Sequence, residues 1–199
     1  MRMKRELSIE AFAVAEPGTA PDVSFVPPLL RRRLSPLQRI FFALAREVGA
    51  DAADWIVFAS RDGEDTLTRR IVDDFHADGS VSPHRFSASV YTAAPGLWSV
   101  FAKNKAPYTA IAAGDDSIEC GLLELLAGER GRAVLVYAEE TGGGYGAALR
   151  IAPSGASGRH NEVTDSIGAD RPIAFRDFAD FLSGSRRERR GKWLVWREI

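Results

Sequence analysis

Residues 82–126 read SPHRFSASVYTAAPGLWSVFAKNKAPYTAIAAGDDSIECGLLELL, and this stretch decides the fold. Its pattern predicts a largely helical segment over Phe86–Lys103 and then an apolar strand over Tyr108–Ala113. A tight turn of small residues follows, and a helix is predicted over Ser117–Leu126. Such a turn brings a side chain from the end of a strand to the positive end of the next helix, where a nucleophile can be activated. The turn in this chain covers Ala112–Ser117 (AAGDDS).

Outward from this stretch, hydrophobic periodicity predicts strands that alternate with helices. The strands are expected at Leu7–Ala15, Trp55–Ala59, Ala133–Ala138, Ala147–Ala152 and Lys192–Arg197. The helices are expected at Pro36–Val48, Glu64–His76 and Phe175–Leu182. Leu7, Ile9, Ala11 and Ala13 are expected on one face of the first strand, and residues 153–171 are expected to form a mobile loop. The alternation predicts one α/β domain over 1–199, a mixed sheet with helices on both faces.

Composition limits the classes of function. The chain has 199 residues, with 26 basic and 27 acidic side chains, so no global field favours nucleic acid or a membrane surface. The single cysteine, Cys120, cannot form an intrachain disulfide and suits a reducing compartment. No apolar run reaches transmembrane length, and no signal-peptide core follows the basic N-terminus. We therefore expect a cytoplasmic protein with no membrane span and no nucleic-acid partner.

The central stretch resembles the active-site segment of β-ketoacyl synthases, in which a strand ends in an Ala-Cys step followed by a buried helix. Further fragments similar to the family are Leu30–Leu37 (LRRRLSPL), Phe58–Arg61 (FASR), Phe86–Val90 (FSASV) and Ala93–Leu97 (AAPGL). The resemblance is strongest to the short β-ketoacyl synthase-like proteins called chain length factors. Thr92 departs from that pattern, which often has Asn there.

This resemblance implies half of a thiolase-like fold, with Gly114 in place of the nucleophilic cysteine. It implies a non-catalytic chain length factor that pairs with an active β-ketoacyl synthase and shapes its acyl tunnel in aryl polyene, fatty acid or polyketide biosynthesis. An acyl carrier protein is the second implied partner, and neither a metal nor another cofactor is implied. The three histidines do not stand in motifs that match the family's catalytic ones: His76, His84 and His160.

Four groups of residues are candidates for these roles. Candidates for lining the acyl tunnel are Phe86, Ser89, Leu97, Trp98 and Phe101, although aromatic stripes on helices are more often core. The expected partner-interface strand contains Tyr108, Ala110, Ile111, Ala112 and Ala113. The expected cap of the helix at the vacated position is Asp115, Asp116 and Ser117. Candidates for carrier-protein docking are Arg186, Arg187, Arg189 and Arg190, although basic runs are more often a solvated face.

Two other classes of function stay open on the sequence. An autonomous acyl transferase or hydrolase could use Ser117 as its nucleophile with His84 as the base. The chain could also be an acyl-binding or structural protein that acts alone. Cys120 is interpreted as a structural cysteine because Glu119 and Glu124 would raise its pKa. The glycines of residues 142–146 lack the Lys-Ser/Thr of a phosphate loop and are interpreted as a turn between strands.

Overall fold

The computed structural model describes residues 4–128, 131–153, 156–165, 171–192 and 194–199. Its strands are β1 (Lys4–Ala15), β2 (Trp55–Ala59), β3 (Tyr108–Ile111), β4 (Ala133–Glu139), β5 (Tyr145–Pro153), β6 (Arg159–Asp165), β7 (Glu188–Arg190) and β8 (Leu194–Glu198). Its α-helices are α1 (Pro28–Arg31), α2 (Pro36–Glu47), α3 (Asp65–Asp78), α4 (Pro83–Ala88), α5 (Ala93–Ala102), α6 (Ser117–Ala127) and α7 (Phe175–Leu182). Among these described residues, no helix has both the length and the apolar character needed to cross a bilayer.

The strands of the described residues form one eight-stranded sheet in the order β3-β2-β4-β5-β1-β6-β8-β7. Strand β2 runs parallel to both β3 and β4, and the other neighbouring pairs are antiparallel. The parallel strands are joined by helical crossovers, as parallel pairing requires. The sheet therefore has β3 at one edge and β7 at the other.

The best-marked helix, α2, begins where the sequence predicts. The Ser35 hydroxyl accepts the Gln38 amide, and the Gln38 side chain accepts the Ser35 amide, which completes a capping box. Pro36 stands at the first helical position, and Gly49 follows the helix with a φ of +68°.

The core has two layers, one on each face of the sheet. One layer joins α6 and α7 to the sheet, and its fully buried members include Leu122, Leu125 and Leu135. The other joins α2 and α5 to the opposite face and contains a cluster of aromatic side chains. Helices on both faces of a mixed sheet were expected from the sequence, and the structure confirms this arrangement.

The alternate residues of β1 from Leu7 to Ala13 were expected on one face of the strand, and they lie on two. The β1–β5 register shifts between Ile9 and Ala11, which is a β-bulge. Leu7 and Ile9 therefore pack into the layer with α6, whereas Ala13 packs into the layer with α2. At the bulge the Glu10 carboxylate pairs with Arg132 and Arg150 at 3.0 and 3.1 Å.

The structure differs from the sequence-based expectations in further elements. The expected loop over 153–171 contains strand β6, and the basic segment near the C-terminus contains strand β7. The predicted helical segment Phe86–Lys103 is divided into α4 and α5. Helix α3 has no buried residue, and its apolar residues Val72 and Phe75 are 47% and 55% exposed. Its apolar face is therefore not part of the core.

Candidate functional site

The turn after β3 lies at the end of the strand and before a helix, as predicted. Strand β3 ends at Ile111, a short 3₁₀ turn covers Gly114–Asp116, and α6 begins at Ser117. Gly114 has a φ of +58°, and a Cβ built there would meet no atom within 4 Å. The position therefore has room for a side chain, while its left-handed backbone favours glycine.

The hydroxyl of Ser117 stabilises this turn through hydrogen bonds to its backbone. Its side chain is buried, with an exposed fraction of 1%. The hydroxyl accepts the Ala113 amide at 3.0 Å and lies within donating distance of the carbonyl oxygens of Gly114 (2.7 Å) and Ser60 (3.1 Å). All three contacts are to backbone, so the hydroxyl links the turn to the end of β2.

The predicted aspartate cap is wrong. Asp116 stands at the N-cap of α6, but its side chain makes no capping hydrogen bond and instead pairs with Lys192 at 3.1 Å. Asp115 points to solvent and pairs with Arg61 at 3.4 Å. The hydroxyl of Ser117 orders the turn, whereas the two aspartates form ion pairs with other segments.

A buried carboxyl group, that of Glu139, lies at the ends of β2 and β4, and the sequence did not predict it as part of the site. Glu139 accepts hydrogen bonds from the Ser60 hydroxyl at 3.1 Å, the Arg61 amide and the Asp62 amide at 3.2 Å. Burial raises its pKa, and the hydrogen bonds from Arg61, Asp62 and Ser60 oppose that rise. Its partners lie 77 to 79 positions away in the chain, so local sequence carries no signal for the contact. The carboxyl group fixes the loop that starts at Ser60.

The structure divides the five tunnel candidates among different environments. Trp98 is fully buried in the aromatic cluster, with ring centroids 5.3 Å from Phe42 and 5.6 Å from Phe101. Trp98 and Phe101 thus pack in the core layer of α2. Phe86, by contrast, is 60% exposed on α4, and the Ser89 hydroxyl donates to the Phe86 carbonyl.

Leu97 is half-buried and lines a groove of about 490 Å³. This groove, which we call the α4–α5 groove, is bounded by residues from α1, α2, α4, α5 and the connections between them: Leu30, Arg33, Gln38, His84, Ser87, Ala88, Val90, Thr92, Ala93, Gly96, Leu97 and Val100. Of the five tunnel candidates, Leu97 is the one that lines it.

The predicted interface strand is shorter than expected and lies at an edge of the sheet. Tyr108, Ala110 and Ile111 belong to β3, whereas Ala112 and Ala113 lie beyond its end. The strand residues are exposed or half-buried, because no described strand covers that edge. The carbonyls of Pro107 and Ile111 accept hydrogen bonds from the amides of Ile56 in β2 and of Ser60 just after it. The backbone polar groups of Tyr108 and Ala110 therefore point away from β2, toward the open edge.

The basic run lies at the opposite edge. Arg186 and Arg187 are exposed before β7, and Arg190 in β7 pairs with Glu188 at 2.7 Å. Arg189 lies in β7 as well. β7 and β3 lie at opposite ends of the strand order, but the segment after β7 returns to the Gly114 turn, because Lys192 pairs with Asp116 at 3.1 Å.

Comparisons with solved structures place this architecture among ketosynthases. A chain from the complex of the ketosynthase ApeO with its chain length factor ApeC from Xenorhabdus doucetiae matches with a TM-score of 0.77. The identity is 21%, and the match covers 96% of this chain and 98% of that chain. These values confirm the predicted thiolase-like ketosynthase fold.

Two other ketosynthase structures match over part of their length. The AntDE:AntF complex, a type II polyketide synthase acyl-carrier protein with its ketosynthase, gives a TM-score of 0.62 at 10% identity. That match covers 76% of this chain and 64% of that chain. A β-ketoacyl synthase from Burkholderia phymatum gives a TM-score of 0.55 at 13% identity, covering 76% of this chain and 59% of that chain.

Sequence comparisons agree with the structural ones where they find a match. No curated protein matches the chain. The family model described as the N-terminal domain of β-ketoacyl synthase matches residues 7–143, which is more than half of the chain and includes the Gly114 turn. The chain therefore belongs to the β-ketoacyl synthase N-terminal domain family.

Proposed function

We propose that the chain is a non-catalytic chain length factor, which pairs with an active β-ketoacyl-acyl carrier protein synthase and shapes its acyl tunnel. The product class would be an aryl polyene, a fatty acid or a polyketide. Two comparisons support the proposal. The first is membership of the β-ketoacyl synthase N-terminal domain family. The second is the structural match to a chain of the ApeO–ApeC complex, which covers 96% of this chain and 98% of that chain, so the two chains are nearly equal in length.

The observation that carries the proposal is Gly114. A condensing enzyme takes the acyl chain onto a thiolate, and the strand-to-helix turn is where this family would present it. Gly114 stands in that turn with space for a side chain but without one. The cysteine six residues later is no substitute, because burial and the charges of Asp116 and Glu119 raise the pKa of the Cys120 thiol.

The rival function, acyl transfer or hydrolysis by Ser117, receives no support from the geometry. A nucleophilic serine must reach solvent-borne substrate and give its proton to a base. Ser117 is 1% exposed, and its hydroxyl contacts backbone groups of the turn and of Ser60, which follows β2. His84 lines the α4–α5 groove and is not among those partners. We therefore propose no second function.

The two sheet edges differ in a way that favours β3 as the partner interface. Strand β3 has the sequence YTAI, without charge, whereas β7 has the sequence ERR. Charged residues on an edge prevent pairing with another chain, and an uncharged edge is a template for it. We propose that β3 continues the sheet into the ketosynthase partner, with Ala112 and Ala113 at the end of the interface.

We also propose that the basic run docks an acyl carrier protein through Arg186, Arg187, Arg189 and Arg190. The exposed arginines among them would attract an acidic carrier protein, and their effect would be on association rate and salt dependence. Their place at the β7 edge leaves the β3 edge free for the ketosynthase.

The first experiment measures condensation. The pure chain, incubated with acyl- and malonyl-carrier proteins, is expected to give no β-ketoacyl product by mass spectrometry. Gly114→Cys is expected to remain inactive alone, since a thiol without a decarboxylating group performs half of the reaction. Addition of the ketosynthase partner provides the positive control. Product from the wild-type chain alone would overturn the assignment.

The second experiment tests the β3 edge. Ala110→Pro removes an amide that points away from β2, so it should block pairing across the edge while leaving the β2–β3 hydrogen bonds intact. Native mass spectrometry is expected to show loss of the heterodimer. The matched control is Arg190→Pro at the opposite edge, which should leave the heterodimer whole. Equal effects of the two proline variants would place the interface elsewhere.

A further inference from the structure

A second cavity lies beside the Gly114 turn, apart from the α4–α5 groove. Its volume is about 350 Å³, which is within the ~300–1,000 Å³ range of small-molecule sites. It lies between the turn and the segment that precedes α7, and its lining residues are Arg61, Asp115, Ile118, Tyr137, Tyr145, Arg171, Pro172, Ile173, Ala174 and Phe175. We call it the turn cavity.

The inner wall of the turn cavity is apolar and aromatic. Ile118 and Ile173 are 3% and 4% exposed, so they form a closed floor. The ring centroids of Tyr145 and Phe175 are 4.7 Å apart, and Tyr137 lies 6.3 Å from Tyr145. These tilted contacts fix the rings of the wall against one another, so an apolar surface is already ordered before a ligand binds.

One polar group reaches the wall from the core. Tyr137 is 6% exposed, and its pKa is raised by burial and by the nearby Glu139 and Tyr145 side chains. The Tyr137 ring is held by Tyr145 and Phe175, whose ring centroids lie 6.3 and 6.5 Å from it. The phenol groups of Tyr137 and Tyr145 provide hydroxyls beside the apolar wall.

The rim of the cavity carries two guanidinium groups. Arg61 is held by Asp62 through two hydrogen bonds of 3.1 and 3.0 Å, which direct its third nitrogen to the solvent-exposed Asp115 at 3.4 Å. An incoming anion can replace Asp115, because that pair is long and exposed. Arg171 forms no hydrogen bond or ion pair with any residue in the described part of the chain.

We propose that the turn cavity binds a small carboxylate with an aromatic or short aliphatic body. Its carboxylate would lie between Arg61 and Arg171, where planar guanidinium groups match it. Its apolar body would lie on Tyr145, Ile173 and Phe175. This inference goes beyond the proposed function, because the isolated chain contains every residue named and no ketosynthase is needed.

The test is an NMR titration of the full chain with 3-phenylpropionate. Saturable shifts of the Ile118 and Ile173 methyl signals are expected, with a Kd on the order of 1 mM for a ligand of this size. The neutral analogue 3-phenylpropanamide is expected to bind about tenfold more weakly, because it lacks the charge that the arginines recognise.

The Arg171→Gln variant tests whether binding depends on the guanidinium groups or only on the apolar surface. The variant should raise the Kd about fivefold or more, since it removes one of the two guanidinium groups. Arg176→Gln is the matched control, because Arg176 is an exposed arginine on α7 that does not line the cavity. Three results would each overturn the proposal: no saturable shift up to ~10 mM ligand, equal binding of the amide, or an unchanged Kd in Arg171→Gln. None of these measurements involves the ketosynthase, so their failure would leave the chain-length-factor proposal standing.

Discussion

At the scale of single residues, Glu64 has an unusual environment for an acidic side chain. It is 3% exposed, and one carboxyl oxygen accepts hydrogen bonds from Ser35 at 3.0 Å and from Gln38 at 2.8 Å. The other oxygen is buried without a hydrogen-bond partner among the described residues, as is one oxygen of Glu140. Burial, with a smaller contribution from Glu140, raises the pKa of Glu64 to about 7.

This raised pKa predicts a fold that loses stability as the pH rises through neutrality. Between the unfolded value of 4.5 and the folded value of about 7, the native state binds the proton and the unfolded state releases it. The free energy of unfolding should therefore fall with rising pH across this window, by an amount on the order of 3 kcal/mol. Glu64→Gln, which keeps the shape without the charge, should flatten that dependence in urea titrations at pH 5 and pH 8.

The matched control is Glu47→Gln at the exposed end of α2, which should keep the wild-type dependence. An unchanged slope in Glu64→Gln would mean that Glu64 is ionised in the folded protein without cost.

The residue scale also shows what local sequence can predict. The capping box of Ser35 and Gln38 was predictable because its partners are three positions apart. Glu119 was not, although it is buried and accepts the amides of Lys192 and Leu194 at 2.8 and 2.7 Å. Those partners are more than 70 positions away, so only the folded chain brings them together.

At the scale of elements, regular amphipathic patterns were read correctly and irregular ones were not. Strand β2 and helix α7 begin and end at the predicted residues, because each is a short apolar pattern with clear boundaries. Strands β6 and β7 were missed because their sequences, RHNEVTD and ERR, are polar and lack a strand pattern. They form strands because both pair with β8. The bulge in β1 was missed because alternation continues through Glu10 in the sequence.

Helix α5 contains two neighbouring tunnel candidates that should behave differently when truncated. Trp98→Ala should lower the free energy of unfolding by about 3–5 kcal/mol, because Trp98 is fully buried among Phe41, Phe42 and Phe101. Leu97→Ala should cost about 1 kcal/mol or less, since Leu97 is half-buried, and under the proposed function it should lengthen the products of the complex.

Urea unfolding of both variants and mass spectrometry of the products made with the ketosynthase provide the two measurements. If the products made with Leu97→Ala are unchanged in length, Leu97 packs against its neighbours without limiting product length. A stable Trp98→Ala variant would contradict the core position of the tryptophan.

At the scale of the whole molecule, the apolar surface is uneven. Exposed apolar side chains occur on three consecutive helices: Val72 and Phe75 on α3, Phe86 on α4 and Val100 on α5. Helix α5 lies next to the β3 edge, where a Cβ on Gly96 would lie 3.2 Å from the Tyr108 hydroxyl. The uncharged edge and this apolar surface are therefore neighbours.

A four-residue strand is about 13 Å long, which is too short to form a specific interface by itself. Stable interfaces bury about 800 Å² on each partner. If β3 pairs with the ketosynthase, the contact must extend over adjacent surface, and the neighbouring helix α5 carries an exposed apolar side chain, Val100, at 78% exposure.

Val100→Glu should consequently separate binding from folding. In the isolated chain the substitution is exposed and should change the free energy of unfolding by about 0.5 kcal/mol or less. In the complex it would bury a charge without a partner, so calorimetry should show at least about a tenfold loss of affinity for the ketosynthase. Ile199→Glu changes another exposed apolar residue, at 61% exposure, and should bind normally. Normal binding by Val100→Glu would mean that the interface extends from β3 in another direction, away from α5.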